Sequence, residues 1–327
     1  MTAPVLAILI ALVVSFLLTP LARRLACRCE VIDHPGGRRV HERPTPRWGG
    51  IAIYAAFMTA VGAAVAISPD VRLDAQMISI LAGGTIVAIV GLLDDKFELP
   101  AALQAIAIIA AAAIVIYTGV RVRYITNPFD TGSPLIWLNM WSIPVTVIWI
   151  FGVTKTIDLM DGIDGLAAGI SAIAAATLLV MAVQMHSPQP DLARSFGMVA
   201  VLAAALLGAS LGFLRYNFPP ASIFMGTIGA QFMGFVIAST SIIGAFKLAT
   251  LVAVAVPLLA LAVPILDTAF VVLRRFINRR PLHQPDKTHV HHRLLDRGLT
   301  PRQTLIVIYG MTALLSGIGL TLFVWTR

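Results

Sequence analysis

Long apolar runs alternate with short polar segments along this chain. Each run is long enough for a membrane-spanning helix, which needs about 17–25 predominantly apolar residues. The pattern therefore predicts an all-α polytopic membrane protein of about ten transmembrane helices, in a single integral membrane domain over residues 1–327. The predicted spans centre on residues 4–22, 49–68, 77–93, 101–118, 136–156, 164–184, 196–213, 223–244, 248–272 and 304–325.

Composition excludes a soluble fold. The chain is 58% hydrophobic and only 12% charged, whereas about 25% of the residues of a soluble domain are charged. The first run, residues 4–22, is too long for a signal peptide and lacks a small-residue cleavage site, so we interpret it as a membrane anchor.

The basic residues predict the orientation. Most of the 24 Lys and Arg residues fall in the connections after odd-numbered spans, which the positive-inside rule assigns to the cytoplasm. Both termini are then outside. The net charge of +8 is explained by these loops and by lipid phosphates, so no nucleic-acid partner is expected. The predicted cytoplasmic loops cover about residues 23–48, 94–100, 154–163, 214–222 and 273–303.

Two adjacent carboxylates, Asp94 and Asp95, end the third run in the segment Gly-Leu-Leu-Asp-Asp-Lys. Adjacent carboxylates at a membrane boundary repel each other and are costly to desolvate, so a cation, a basic residue or a proton should lie nearby. The simpler alternative is a solvated start of a loop.

The segment from Lys155 to Leu166 carries the strongest chemical signal. Asp158, Asp161 and Asp164 are spaced by three residues, which keeps them close on a helix or tight turn. Glycines follow the second and third aspartates and permit close approach of a ligand. Carboxylates in this setting suit Mg²⁺, which shares its shell with waters and substrate phosphates. A helix-capping turn is the alternative.

Two basic loops offer anion-binding groups. His289, His291, His292 and Arg293 lie in the last cytoplasmic loop, where phosphate binding is favoured over a zinc site because no further ligand follows at suitable spacing. His41 and Arg43 lie in a Pro- and Gly-rich first loop, and either hold an anionic head group or only set the topology.

Acidic and basic groups gathered at one membrane face indicate phosphoryl transfer between a lipid phosphate and an anionic soluble partner. A transporter would instead place its carboxylates near the midplane of the bilayer.

Five motifs occur along the chain in a fixed order and span about residues 30–300. They are Asp33…His41…Pro46-Arg47-Trp48-Gly49-Gly50, Leu93-Asp94-Asp95, Asp161-Gly162-Ile163-Asp164-Gly165-Leu166, Phe224-Met225-Gly226 and Pro285-Asp286-Lys287-Thr288-His289-Val290-His291-His292-Arg293. Their combination resembles the polyprenyl-phosphate N-acetylhexosamine-1-phosphate transferases. It looks most like the bacterial undecaprenyl-phosphate GlcNAc-1-phosphate transferase branch, which is related to phospho-N-acetylmuramoyl-pentapeptide transferase.

The resemblance implies transfer of a sugar 1-phosphate from a UDP-N-acetylhexosamine to undecaprenyl phosphate with release of UMP, at the bacterial plasma (inner) membrane. The implied cofactor is Mg²⁺, with Mn²⁺ as an alternative, and membrane lipids and a homodimer are further expected partners. The roles implied for matching residues are catalytic for Asp94 and Asp95, and nucleotide or sugar binding for Asp161, Asp164, His289, His291, His292 and Arg293. We further predict nucleotide or sugar binding for Lys155, lipid-phosphate binding for Arg43 and His41, and metal binding at the positions of Asp158 and Thr227.

Four positions depart from the family pattern. Thr227 stands where the family has an aspartate, Lys155 and Asp158 stand where it has two asparagines, and Gln104 stands where it has a lysine. One hypothesis is that the charges have moved, since a carboxylate and a lysine are each lost at one position and gained at another. The alternative is a catalytically inactive paralogue that binds polyprenyl phosphate or a partner protein.

Overall fold

The computed structural model describes residues 2–34, 44–69, 71–126, 135–185, 187–246, 251–277 and 290–325. The predicted site residues His41, Arg43 and His289 lie outside these ranges.

The described chain is almost entirely helical, which confirms the all-α part of the prediction. Two antiparallel pairs of very short strands interrupt the helices, β1 (Ile32–Asp33) with β2 (Thr45–Pro46) and β3 (Tyr124–Thr126) with β4 (Leu135–Trp137). The helices are α1 Thr2–Arg28, α2 Gly50–Ile67, α3 Ala75–Phe97, α4 Ala101–Tyr117, α5 Ser142–Met160, α6 Leu166–Gln184, α7 Pro190–Asn217, α8 Gly226–Phe246, α9 Leu251–Ala260, α10 Ala262–Ile277, α11 Val290–Asp296 and α12 Pro301–Trp325.

Eight helices of the described residues are long and apolar enough to cross a membrane, namely α1, α2, α3, α5 with its preceding 3₁₀ turn, α6, α7, α8 and α12. Of the other two predicted spans, α4 is a shorter apolar helix.

The predicted span at 248–272 is not one continuous helix. It is divided into α9 and α10 at Leu261. The physical reason is Pro264, which has no N–H to donate to the carbonyl of Ala260 one turn earlier and whose ring crowds that turn.

Burial identifies the centre of the bundle. In the apolar windows of the helices, 89% of α8 and 78% of α7 is buried, against 28% for both α1 and α12. α8 packs against α3 and α5, with the large buried side chains of Phe232 and Phe235 on its surface. The helices with little buried surface present apolar side chains outward, as expected for contact with lipid.

Glycines bring the first turn of α8 into backbone contact with two other helices. A Cβ added to Gly91 of α3 would lie 2.6 Å from Ile228 Cα, and one added to Gly50 of α2 would lie 2.3 Å from Gly229 N. Small residues permit this close approach between membrane helices. The packing carries the end of α3, with its two carboxylates, to the start of α8.

Candidate active site

Asp95 closes the N-terminus of α8. Its Oδ1 accepts a hydrogen bond from the backbone N–H of Thr227 at 2.8 Å, and its Oδ2 accepts one from Ile228 at 3.3 Å. The first N–H groups of a helix have no partner within the helix, and the helix dipole favours an anion there. The Asp95 side chain is buried, so these contacts offset part of its lost hydration.

Gly226 makes this contact possible. Its φ of +72° lies in the left-handed region, which glycine adopts without a steric penalty. A Cβ at this position would lie 2.3 Å from Asp95 Oδ2, well inside van der Waals contact. The Met-Gly pair of the sequence motif therefore has a steric function that does not depend on the side chain that follows it.

The segment after β2 lies beside the same junction. Gly49 N donates to Phe224 O at 2.9 Å, and Phe224 N donates to Pro46 O at 2.8 Å. Arg47 lies between these contacts, and its guanidinium forms an ion pair with Asp33 at 3.1 Å. The Pro-Arg-Trp-Gly-Gly motif thus places a cation at the carboxylate cluster.

A second polar cluster links α3, α4, α5 and α8. Gln104 Nε2 donates to Asp94 Oδ1 at 2.7 Å, and Gln104 Oε1 accepts from Lys155 Nζ at 2.7 Å. Lys155 Nζ also lies 2.8 Å from Asp158 Oδ2, and Gln231 Nε2 donates to that oxygen at 3.1 Å. We call Gln104, Lys155, Asp158 and Gln231 the Lys155 cluster.

The structure thereby brings together three of the four positions that depart from the family pattern, because Gln104, Lys155 and Asp158 are in direct contact. Thr227 lies one helical turn before Gln231 on α8, so the two side chains share a face of that helix. Gln231 is a site residue that sequence analysis missed, because a glutamine in an apolar run carries no motif.

The turn between α5 and α6 holds the remaining aspartates. Asp164 Oδ2 accepts a hydrogen bond from Ala221 N at 2.8 Å. The buried Asn217 accepts one from Gly165 N at 3.0 Å, and Tyr309 of α12 donates to Gly165 O. Three neighbouring elements therefore fix the shape of the Asp-Gly turn, and Asn217 is a second residue that the motifs did not reveal.

Asp161 lies among like charges. Burial raises the pKa of its carboxyl well above the usual value, the charges of Asp158, Asp95 and Asp164 raise it further, and Arg47 lowers it. Asp161 accepts no hydrogen bond from any residue that the structure describes. A carboxylate in this position is stabilised when a cation reaches it.

His291 packs over the same turn. A Cβ added to Gly162 would lie 3.1 Å from His291 Nε2, and the His291 side chain is 1% exposed. The His292 ring lies beside it, with centroids 4.4 Å apart. Arg293 points elsewhere, because its guanidinium lies 5.1 Å from the Phe270 ring on α10. The two histidines therefore lie at the Asp-Gly turn, whereas the guanidinium of Arg293 lies at α10.

The donor set fits a divalent cation at Asp161. Mg²⁺ prefers oxygen ligands and is commonly held by one or two carboxylates, with waters and substrate phosphates completing its shell. Within the described ranges no three His, Cys, Asp or Glu side chains form a complete metal cage. Asp158 Oδ2 already accepts from Lys155 and Gln231, so its other oxygen is the one left for a metal. The predicted metal role of Thr227 stays a prediction.

The chain also matches a model of a known protein family. The model of the family described as "Glycosyl transferase family 4" matches residues 77–245, which run from the start of α3 to the end of α8 and include both carboxylate groups.

Three relatives match over most of their length. A probable undecaprenyl-phosphate N-acetylglucosaminyl 1-phosphate transferase of Bacillus subtilis (strain 168) is 37% identical over 93% of this chain and 81% of its own. A decaprenyl-phosphate N-acetylglucosaminephosphotransferase of Mycobacterium leprae is 31% identical over 92% and 79%. The undecaprenyl-phosphate alpha-N-acetylglucosaminyl 1-phosphate transferase of Escherichia coli K12 is 27% identical over 94% and 82%. This chain therefore belongs to glycosyl transferase family 4.

Proposed function

We propose that this protein transfers GlcNAc 1-phosphate from UDP-GlcNAc to undecaprenyl or another polyprenyl phosphate. The products are polyprenyl-diphosphate-GlcNAc and UMP, and the reaction is the first lipid-linked step in the synthesis of an envelope polymer. The observation that carries the proposal is the convergence of Asp94–Asp95, the Asp158–Asp164 turn and the N-terminus of α8 at one end of an apolar helix bundle.

The chemistry requires one bond to form and one to break. An oxygen of the lipid phosphate attacks the phosphorus that carries the sugar, and the bond from that phosphorus to the bridging oxygen breaks, so that UMP leaves. Asp94 is suited to act as the base for the attacking lipid phosphate. Among the described residues only Gln104 donates to the Asp94 carboxylate, at Oδ1, so Oδ2 is left to accept the last proton of the lipid phosphate. Asp95 holds the first turn of α8 in place beside it.

The other residues hold the sugar nucleotide. His291 and His292 offer N–H donors beside the Asp-Gly turn, and Arg47 adds a positive charge. Asp161, with the second oxygen of Asp158, would hold Mg²⁺, which supplies positive charge against the phosphate oxygens when bound. His41, Arg43 and His289 keep their predicted roles in binding phosphate groups.

The proposed orientation places this end of the bundle at the cytoplasmic side of a bacterial plasma membrane, with both termini outside. The basic loops support it through the positive-inside rule. α4 and the pair α9–α10 would complete about ten spans. The outward face of α10 carries Leu266, Phe270, Leu273 and Ile277, all exposed, which is suited to contact with lipid chains.

The test is turnover in nanodiscs with undecaprenyl phosphate, a panel of UDP-sugars and titrated Mg²⁺, with UMP release as the readout. We expect metal-dependent UMP release with UDP-GlcNAc, and we expect Asp94→Asn and Asp95→Asn to lower it by about 10²–10³-fold.

The second candidate is an inactive paralogue that binds polyprenyl phosphate, and the observation favouring it is the ammonium of Lys155 against Asp158. A folded sample that binds the lipid phosphate but releases no UMP from any donor would establish this candidate instead.

A further inference from the structure

Lys155 is held by two fixed contacts at the centre of the site. Its Nζ donates to Gln104 Oε1 at 2.7 Å and to Asp158 Oδ2 at 2.8 Å, and its side chain is 23% exposed. A lysine ammonium has three protons to donate. Two have acceptors among the described residues, which leaves one donor on a group that solvent still reaches.

The partners of Lys155 are themselves held. Gln231 is 1% exposed, and its Nε2 donates to Gln104 Oε1 at 2.9 Å and to Asp158 Oδ2 at 3.1 Å. An amide nitrogen has two protons, so both are used in these contacts. Gln104 Nε2 is bound in turn to Asp94. The ammonium is therefore positioned by side chains from α4, α5 and α8, which restricts its motion.

This arrangement differs from an ordinary surface ion pair. An exposed pair is held by a single mobile contact and stabilises a protein by about 0–1 kcal/mol. Here the cluster also connects Asp94 of α3 to Asp158 of α5, through Gln104 and Lys155. A fixed ammonium between two carboxylate groups suits an anionic ligand that is brought to both of them.

We propose that Lys155 binds a phosphate oxygen of a substrate, and that Gln104, Asp158 and Gln231 are positioning residues that aim its third donor. The ligand is either the diphosphate of the sugar nucleotide or the phosphate of the lipid, and this identification rests on the proposed function. Lys155 then supplies a permanent positive charge at Asp158 Oδ2, while Asp161 and the other oxygen of Asp158 would hold the metal ion.

The experiment measures binding without turnover. Purified full-length protein in nanodiscs is titrated with UDP-GlcNAc alone and with undecaprenyl phosphate alone, in the presence of a chelator, and the shift of the thermal unfolding midpoint gives each Kd. The variants are Lys155→Gln, Lys155→Arg and Gln231→Leu. The matched control is Lys96→Gln, since Lys96 is an exposed lysine near the same end of α3 whose ammonium lies over the Phe97 ring.

We expect Lys155→Gln to weaken the binding of one ligand by about tenfold to a hundredfold, as for the loss of a charge-assisted hydrogen bond. Lys155→Arg should lower the affinity for that ligand less than Lys155→Gln does. Gln231→Leu should also lower it by a smaller factor, since this variant keeps the ammonium of Lys155 but misaligns it. The control should bind both ligands as the wild type does. Selective loss for UDP-GlcNAc identifies the diphosphate, and selective loss for undecaprenyl phosphate identifies the lipid.

Unchanged Kd values for both ligands in folded Lys155→Gln or Gln231→Leu protein would overturn the proposal and leave a structural ion pair. The proposed function fails separately, by absence of UMP release from wild-type protein that still binds both ligands. A Mn²⁺ titration followed by electron paramagnetic resonance adds a readout for the metal. Asp161→Asn should abolish Mn²⁺ binding, whereas Lys155→Gln should retain it, and abolition in Lys155→Gln as well would contradict a metal site that does not depend on Lys155.

Discussion

The two halves of the site are held together in different ways. At the junction of α3 and α8, the carboxylate of Asp95 is bound by backbone N–H groups, and glycines allow the helices to touch. In the Lys155 cluster the hydrogen bonds between its members each join two side chains. One half therefore depends on backbone geometry and the other on side-chain chemistry.

This difference explains where the chain departs from its family pattern. Any residue except proline has a backbone N–H to donate. Thr227 N therefore donates to Asp95 just as the backbone of an aspartate at that position would. The glycine before it cannot change, because its φ and its contact with Asp95 exclude a Cβ. The other three changed residues, Gln104, Lys155 and Asp158, lie in the half that side chains build, where one change can be offset by another.

Gly226→Ala should have the largest effect, because it breaks the backbone-held half. The added Cβ clashes with the Asp95 carboxylate, and left-handed backbone costs a non-glycine residue about 1–3 kcal/mol in addition. We expect a lower unfolding midpoint in detergent and no UMP release. Gly317→Ala is the matched control, since a Cβ there meets nothing within 4 Å. Equal stability of the two variants would contradict the steric function of Gly226.

Asp95→Asn tests the charge of the same contact. The amide oxygen can still accept from Thr227 N, but the anion that faces the helix dipole is lost. We expect UMP release to fall by about 10²–10³-fold, comparable to the removal of one preorganised electrostatic group in other enzymes. The unfolding midpoint should fall only slightly. Turnover within threefold of the wild type would mean that Asp95 has a structural function alone.

A double-mutant cycle of Lys155→Gln and Asp158→Asn measures the side-chain-held half. Both side chains are less than a third exposed, so their ion pair should couple by about 0.5–3 kcal/mol in unfolding free energy. Loss of either partner leaves the other charge unpaired, and loss of both should be less harmful than the sum. Additivity within about 0.5 kcal/mol would show that the pair is energetically independent.

Gln231→Leu should have the smallest effect on stability. Leucine fills a similar volume in the buried first turns of α8, but its side chain has no donor for Gln104 or Asp158. Gln104 Oε1 and Asp158 Oδ2 still accept hydrogen bonds from Lys155. We therefore expect a loss of about 1 kcal/mol of unfolding free energy. The effect of Asp95→Asn on UMP release and on the unfolding midpoint should be the same in this variant as in the wild type. A loss as large as that of Gly226→Ala would show that the two halves are not separable.

Much of the fold could be predicted because hydropathy and spacing are local properties. The apolar runs predicted the helices, and the order of Asp94–Asp95 and the Asp-Gly turn predicted the family. One feature was missed for a physical reason, because the break at Leu261 depends on one proline inside an apolar run. The span predicted at residues 101–118 is α4, Ala101–Tyr117.

The sequence by itself therefore determined the helices, the family and the chemical types at the site. Only the tertiary structure decided which of them touch. Gln104 and Gln231 are 127 residues apart, and no periodicity relates them. Their contact exists because glycines bring α8 against α2, α3 and α5, at Gly229, Gly91 and Gly234 respectively. Packing between distant helices, and not any local pattern, is what assembles Lys155 with its partners.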